Sequence, residues 1–104
     1  MHVERVETKE EIQAEIVRVF GESAKDALCI AKMESGFRAD ARNSWGNTPA
    51  GSVDRGVFQL NSHWQSNISD EEAYDAKSNI AHAKAIHDSW GGWSAWSSRH
   101  KCGL

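Results

Sequence analysis

No apolar run in the 104 residues approaches the roughly 18 needed to cross a membrane. The stretch from Met1 to Glu11 is charged and has no apolar signal-peptide core, so export by that route is not expected from it. An excess of positive charge is also lacking: 12 Lys and Arg against 15 Asp and Glu give a formal net charge of −3. That balance offers no basic face for nucleic acid and no general attraction to anionic membranes or cell walls. Proline occurs once and glycine eight times, which suits a compact fold with a few specific turns. Cysteine occurs only as Cys29 and Cys102 and never as C-x-x-C, which argues against zinc-ribbon and thioredoxin-type sites. Spacing leaves the pair open: two buried free thiols, or one disulfide tying the C-terminus to an internal helix. Closing so long a loop would stabilise by about 4 kcal/mol on the chain-entropy model.

Hydrophobic residues make up 39% and charged residues 26%, an ordinary globular balance, and the length suits one domain over residues 1–104. Five tryptophans are the unusual entry; Trp fills a core or meets a flat ligand. Ile12, Ile16, Val19 and Phe20 form an apolar stripe that predicts a helix over Lys9 to Phe20, with Thr8 and Glu11 as a capping box and Gly21 as its end. A second helix is predicted from Ser23 to a stop at Gly36. Between Asn43 and Asn61, turn residues alternate with Val53, Val57, Phe58 and Leu60, which predicts a small antiparallel hairpin or three-strand element ending near Phe58. A continuous helix from Asp70 to Trp90 is expected next, capped by Ser69, then a glycine turn and a short helical turn. The class is α+β, mainly α. His82 and His87 stand half a turn out of alignment on that last helix and read as surface or core histidines rather than ligands.

Three features carry chemistry. Glu34 falls in the last turn of the second helix, at the negative end of its dipole. It reads either as a solvated helix-end carboxylate or, if buried beside an aromatic, as an acid whose pKa desolvation raises and which can give a proton to a leaving oxygen. Asp54 reads as a turn residue beside Gly56 or as a second, ionised carboxylate across a cleft. Two carboxyls with pKa values pushed apart are what glycoside cleavage requires. Gln59 and Asn61, at alternate positions of a predicted strand, would offer amides to sugar hydroxyl and acetamido groups from one face. Trp64 and Trp93 would stack on sugar rings or wall the acid, whereas Trp96 reads as core.

Together, Ala31-Lys32-Met33-Glu34-Ser35-Gly36-Phe37, the run from Asn47-Thr48 through Gly51-Ser52-Val53-Asp54-Arg55-Gly56-Val57-Phe58-Gln59-Leu60-Asn61-Ser62-His63-Trp64, and Trp93-Ser94-Ala95-Trp96 before Cys102 resemble the lysozyme-like superfamily. That superfamily includes animal C-type lysozymes and soluble lytic transglycosylases. The resemblance spans about Ile12 to Cys102. It implies a lysozyme-like fold with a small antiparallel β lobe forming one wall of a glycan cleft. It also implies Glu34 as general acid and then base, Asp54 as nucleophile or electrostatic stabiliser, and Trp93 as a shield for Glu34. Gln59, Asn61 and Trp64 would line the groove, with Asn47, Ser35 and Ser52 supporting it, and a Cys29–Cys102 disulfide is implied. The implied substrate is peptidoglycan, cut at the β-1,4 bond between N-acetylmuramic acid and N-acetylglucosamine, with no cofactor. The chain departs from C-type lysozymes in having fewer cysteines, a shorter length and a shorter helical region after Trp64. These departures, with the acidic charge, suggest a monomeric, extracytoplasmic module of a phage lysin or tail, or of an actinobacterial enzyme, delivered to the wall by another domain or a phage structure. A lytic transglycosylase and a non-catalytic glycan-binding module are the competing readings.

Overall fold

The computed structural model describes residues 6–47 and 49–104; Thr48 of the hairpin motif and Met1 to Arg5 of the charged N-terminal stretch lie outside them. Helix α1, Lys9–Phe20, starts where the sequence signal places it: Thr8 Oγ1 accepts from the Glu11 amide at 3.1 Å and Glu11 Oε1 accepts from the Thr8 amide at 2.9 Å. A 3₁₀ turn, Gly21–Ser23, leads into α2, Ala24–Ser35, so the second helix begins one residue after Ser23. Gly36 ends α2 in the left-handed conformation at φ 62°. Phe37 follows at φ 63°, a backbone state that costs a non-glycine residue about 1–3 kcal/mol.

Three two-residue strands, β1 (Arg42–Asn43), β2 (Asp54–Arg55) and β3 (Leu60–Asn61), form one antiparallel sheet in the order β1-β2-β3. Asp54 stands on the central strand, in register with Asn43 on one side and Asn61 on the other. Val57 and Phe58, expected in a strand, instead occupy the turn between β2 and β3, and the third strand runs past Phe58 to Asn61. The cause is Gly56. It adopts φ 76° and packs so tightly that a Cβ there would meet Ala73 O at 2.2 Å and Asn79 Nδ2 at 2.5 Å. The turn drives Val57 and Phe58 into the core, both fully buried.

The expected helix from Asp70 to Trp90 is two: α3, Asp70–Ala73, and α4, Ala76–Trp90. Asp75 is the reason. It takes an extended conformation and its carboxylate accepts from the Ser78 amide at 3.0 Å, so it caps a new helix instead of continuing the old one. A 3₁₀ helix, Ser97–Cys102, closes the chain. It is bonded to α2 through the Cys29–Cys102 disulfide, which spans 73 residues with Cα atoms 6.0 Å apart. The core gathers Ile12, Ile16 and Phe20 of α1, Ile30 and Ala31 of α2, Val57, Phe58 and Leu60 of the β lobe, Ile80 and Ala83 of α4, and Trp93 and Trp96. Among the described residues, no helix is long and apolar enough to cross a membrane.

Candidate active site

Glu34 owes its position to the end of α2. The helix must stop at Gly36, and Ser35 bonds that stop to the β lobe: its hydroxyl donates to the Val57 carbonyl at 2.7 Å, with the Ala31 carbonyl at 3.2 Å, and accepts from the Arg38 amide at 3.3 Å. The Glu34 side chain is half-buried. Burial raises its pKa above the ordinary glutamate value; the Ser98 hydroxyl opposes this, the negative charge of Asp54 adds to it, and Lys101 opposes it more weakly. Asp54 is therefore close enough to act electrostatically on Glu34.

On the facing wall, the Asn61 amide donates to Asp54 Oδ1 at 3.0 Å and approaches Ser52 Oγ at 3.2 Å. Asn61 Oδ1 accepts from the amides of His63 and Trp64 at 2.9 and 3.2 Å, so one side chain fixes both the carboxylate and the start of the Trp64 loop. Arg55, only 2% exposed, shapes that loop from inside. Its guanidinium donates to the carbonyls of Leu60 (3.0 Å), Ile68 (3.0 Å) and Gln65 (3.3 Å) and pairs with Asp70 at 3.0 Å. Buried Asn79 completes the support. It accepts from the Phe58 amide and donates to the carbonyls of Arg55 and Ala73.

Between these walls lies a cleft of about 500 Å³. Glu34, Asp54, Gln59, Asn61, Trp64 and Asn47, all singled out from the sequence, line it together. Gln59 gets there by another route than the one expected. It has φ 51° and stands outside the strand, with Nε2 donating to the carbonyls of Ala41 (3.1 Å) and Gly56 (3.0 Å). Both bonds use the amide nitrogen, and the carbonyl oxygen takes no part in them. Asn47 uses Nδ2 in the same way, on the carbonyls of Asn43 and Ser52. Ser35 and Ser52 are buried outside the cleft lining and act on the scaffold. Trp93 also lies outside the lining. It is 8% exposed and packs against Phe20, Phe58, His87 and Trp96. Trp96, read as core, is buried as expected, 5% exposed with its Nε1 donating to the Phe58 carbonyl at 2.9 Å, and it also contributes to the cleft lining, where Trp93 does not.

The sequence assigned no site role to Trp90, Gln65, Ile86 or Ser97, all of which line the cleft. Trp90 had a signal: it is the last residue of α4, before the Gly91-Gly92 turn, and a large aromatic there stays 62% exposed. Ser97 and Ser98 carried none. Among the described residues no three His, Cys, Asp or Glu side chains gather to hold a metal ion. With Glu34, Asp54 and the indoles of Trp64 and Trp90 in its lining, the cleft offers two carboxyls and flat aromatic faces.

A family model described as a lysozyme-like domain matches residues 13–98. The chain belongs to the lysozyme-like domain family. No curated protein matches its sequence. The fold is similar to a calcium-binding lysozyme from equine milk, with TM-score 0.72 and 27% identity over 93% of this chain and 88% of that one. Canine milk lysozyme aligns with TM-score 0.70 and 28% identity over the same shares. A lysozyme from Litopenaeus vannamei, at TM-score 0.65 and 24% identity over 93% and 86%, is a likeness of fold. These relatives share with the lysozyme-like domain the arrangement expected from the sequence, a mainly helical body with a small antiparallel sheet.

Proposed function

We propose that this lysozyme-like domain is a peptidoglycan-cleaving glycosidase that hydrolyses the β-1,4 bond between N-acetylmuramic acid and N-acetylglucosamine. One observation carries the reading: Glu34, its pKa raised by burial, lines the same cleft as Asp54, whose charge raises it further. A carboxyl with a raised pKa holds its proton to higher pH than an ordinary glutamate and can give it to the glycosidic oxygen as the bond breaks. The neighbouring carboxylate stabilises or captures the positive sugar centre. Glu34, now ionised, takes a proton from the attacking water and returns to its starting state. Trp64, 68% exposed on the sheet side, and Trp90 on the helix side offer flat faces to sugar rings. The disulfide fits an extracellular place of action. The net charge of −3 supports delivery to the anionic wall by a further domain or a phage structure.

Mass spectrometry of purified peptidoglycan after digestion tests the reading. Hydrolysis leaves reducing muramic-acid ends. Products lighter by one water, the 1,6-anhydro sugars, would assign the site to a lytic transglycosylase, in which the muramic 6-hydroxyl attacks and Asp54→Asn has little effect. For the hydrolase, Glu34→Gln lowers the rate by roughly 10³-fold or more and Asp54→Asn by roughly 10²-fold. Binding of chitooligosaccharides without any cleavage would reduce the domain to a glycan-binding module.

A further inference from the structure

The C-terminal 3₁₀ helix lies beside α2, held there by the disulfide: Cys29 precedes Glu34 on α2, and Cys102 follows Ser98 on the 3₁₀ helix. Ser97 of this segment lines the cleft. The neighbouring Ser98 Oγ is buried and completes no hydrogen bond of good geometry, although it sits close enough to Glu34 to favour the ionised carboxylate. A buried hydroxyl without a completed bond is destabilising and calls for an explanation. In unliganded active sites, hydrogen bonds that serve the reaction are often long or misaligned and tighten when substrate binds. We propose that Ser98 is a positioning residue for Glu34: its hydroxyl donates to the carboxylate that remains once Glu34 has given up its proton, and the Cys29–Cys102 bridge holds it in place.

The inference rests on the proposed glycosidase reading for its role in turnover. While Glu34 is protonated, the Ser98 hydroxyl has a weak acceptor beside it. As the C–O bond breaks, the Glu34 proton moves to the leaving oxygen and a carboxylate develops in a half-buried place. Ser98 O–H then has a charged acceptor and the bond strengthens. An interaction stronger after proton transfer than before it lowers the barrier. When the attacking water returns a proton to Glu34, the bond weakens again and the cycle closes. Two other charges act on Glu34: Asp54 from β2, which opposes ionisation, and Lys101 from the same 3₁₀ helix, which favours it. Neither donates from a buried position; Lys101 is exposed.

The test is an NMR titration of the Glu34 side-chain carboxyl carbon in the intact, disulfide-bonded protein, for wild type, Ser98→Ala and Ser98→Thr, beside kcat and kcat/KM on peptidoglycan across pH. Ser98→Ala is expected to titrate Glu34 at higher pH than wild type, to move the alkaline limb of kcat/KM upward in parallel, and to lower kcat roughly tenfold. Ser98→Thr keeps the hydroxyl and restores all three. Should Ser98→Ala not fold, Ser98→Cys, with a weak donor of similar size, is expected to move the titration in the same direction by less. A Glu34 titration unchanged in the folded Ser98 variants overturns the proposal, as does a kcat loss with no movement of the alkaline limb. A titration that moves in a protein that leaves peptidoglycan intact supports the hydrogen bond and overturns the glycosidase reading instead.

Discussion

The Ser35 hydroxyl donates to the Val57 carbonyl at 2.7 Å, and that bond joins the two walls of the cleft. Ser35 follows Glu34 at the end of α2; Val57 stands in the turn that leaves the strand bearing Asp54. Ser35→Ala leaves the Val57 carbonyl buried and unpaired, which costs about 1–3 kcal/mol. The expected result is a lower urea midpoint with an unchanged m-value, together with a fall in kcat from a looser Glu34–Asp54 geometry. A variant with wild-type stability would mean that the bond contributes nothing to holding the walls together.

Gly56→Ala is expected to be far more damaging than an ordinary surface change. The new methyl would meet the Ala73 carbonyl at 2.2 Å and the Asn79 amide at 2.5 Å, at a backbone φ of 76° that alanine disfavours. Neither clashing group can retreat without breaking the bonds Asn79 makes to the β lobe. A loss of at least about 3 kcal/mol, or failure to fold, is expected by thermal or urea unfolding.

Glu34 should make stability depend on pH in a definite direction. Its folded-state pKa lies above the unfolded value, chiefly through burial. Its stabilising contribution is therefore present below the unfolded pKa and is lost as pH rises through the folded pKa. Glu34→Gln removes this term. The variant should match wild type in thermal unfolding at about pH 4 and melt higher at about pH 7.5, while losing activity. Asp54→Asn removes a charge that raises Glu34, so it should shift the Glu34 titration downward. A Glu34→Gln effect identical at both pH values would contradict the burial of that carboxyl.

Reduction of Cys29–Cys102 frees a loop of 73 residues. On the chain-entropy model the loss is about 4 kcal/mol, a large part of the stability of a domain this size. The urea midpoint should drop sharply in reductant. A drop of well under 1 kcal/mol would show that the unfolded chain is already constrained in some other way.

Local signals carried much of the architecture. Thr8 and Glu11, Gly21, Gly36 and Ser69 each mark an element end in the sequence, and the structure places those ends within a residue of the marks. The apolar stripe of Ile12, Ile16 and Phe20 faces the core as its spacing requires. The misses are tertiary. Val57 and Phe58 have strand propensity, but Gly56 seated against Asn79 turns them inward. Asp75 lies inside the stretch expected to be one helix, and its role as a cap depends on the chain's change of direction there. At the site, Glu34 and Asp54 stood out by residue type and motif. Which of Trp93 and Trp96 meets the cleft depends on how the segment after Gly92 packs, and no periodicity encodes that. Arg55 and Asn79 were invisible as supports because their partners are backbone carbonyls and amides far away in sequence.

Arg55 has a consequence for how the domain can change. The loop after β3 takes its course from three carbonyls gathered by one interior guanidinium, and carbonyls are common to every amino acid. Gln65, Ser66 and Asn67 are thus released from specifying the loop's path. Their side chains can be exchanged without touching those bonds, while the frame that aims Trp64 stays intact.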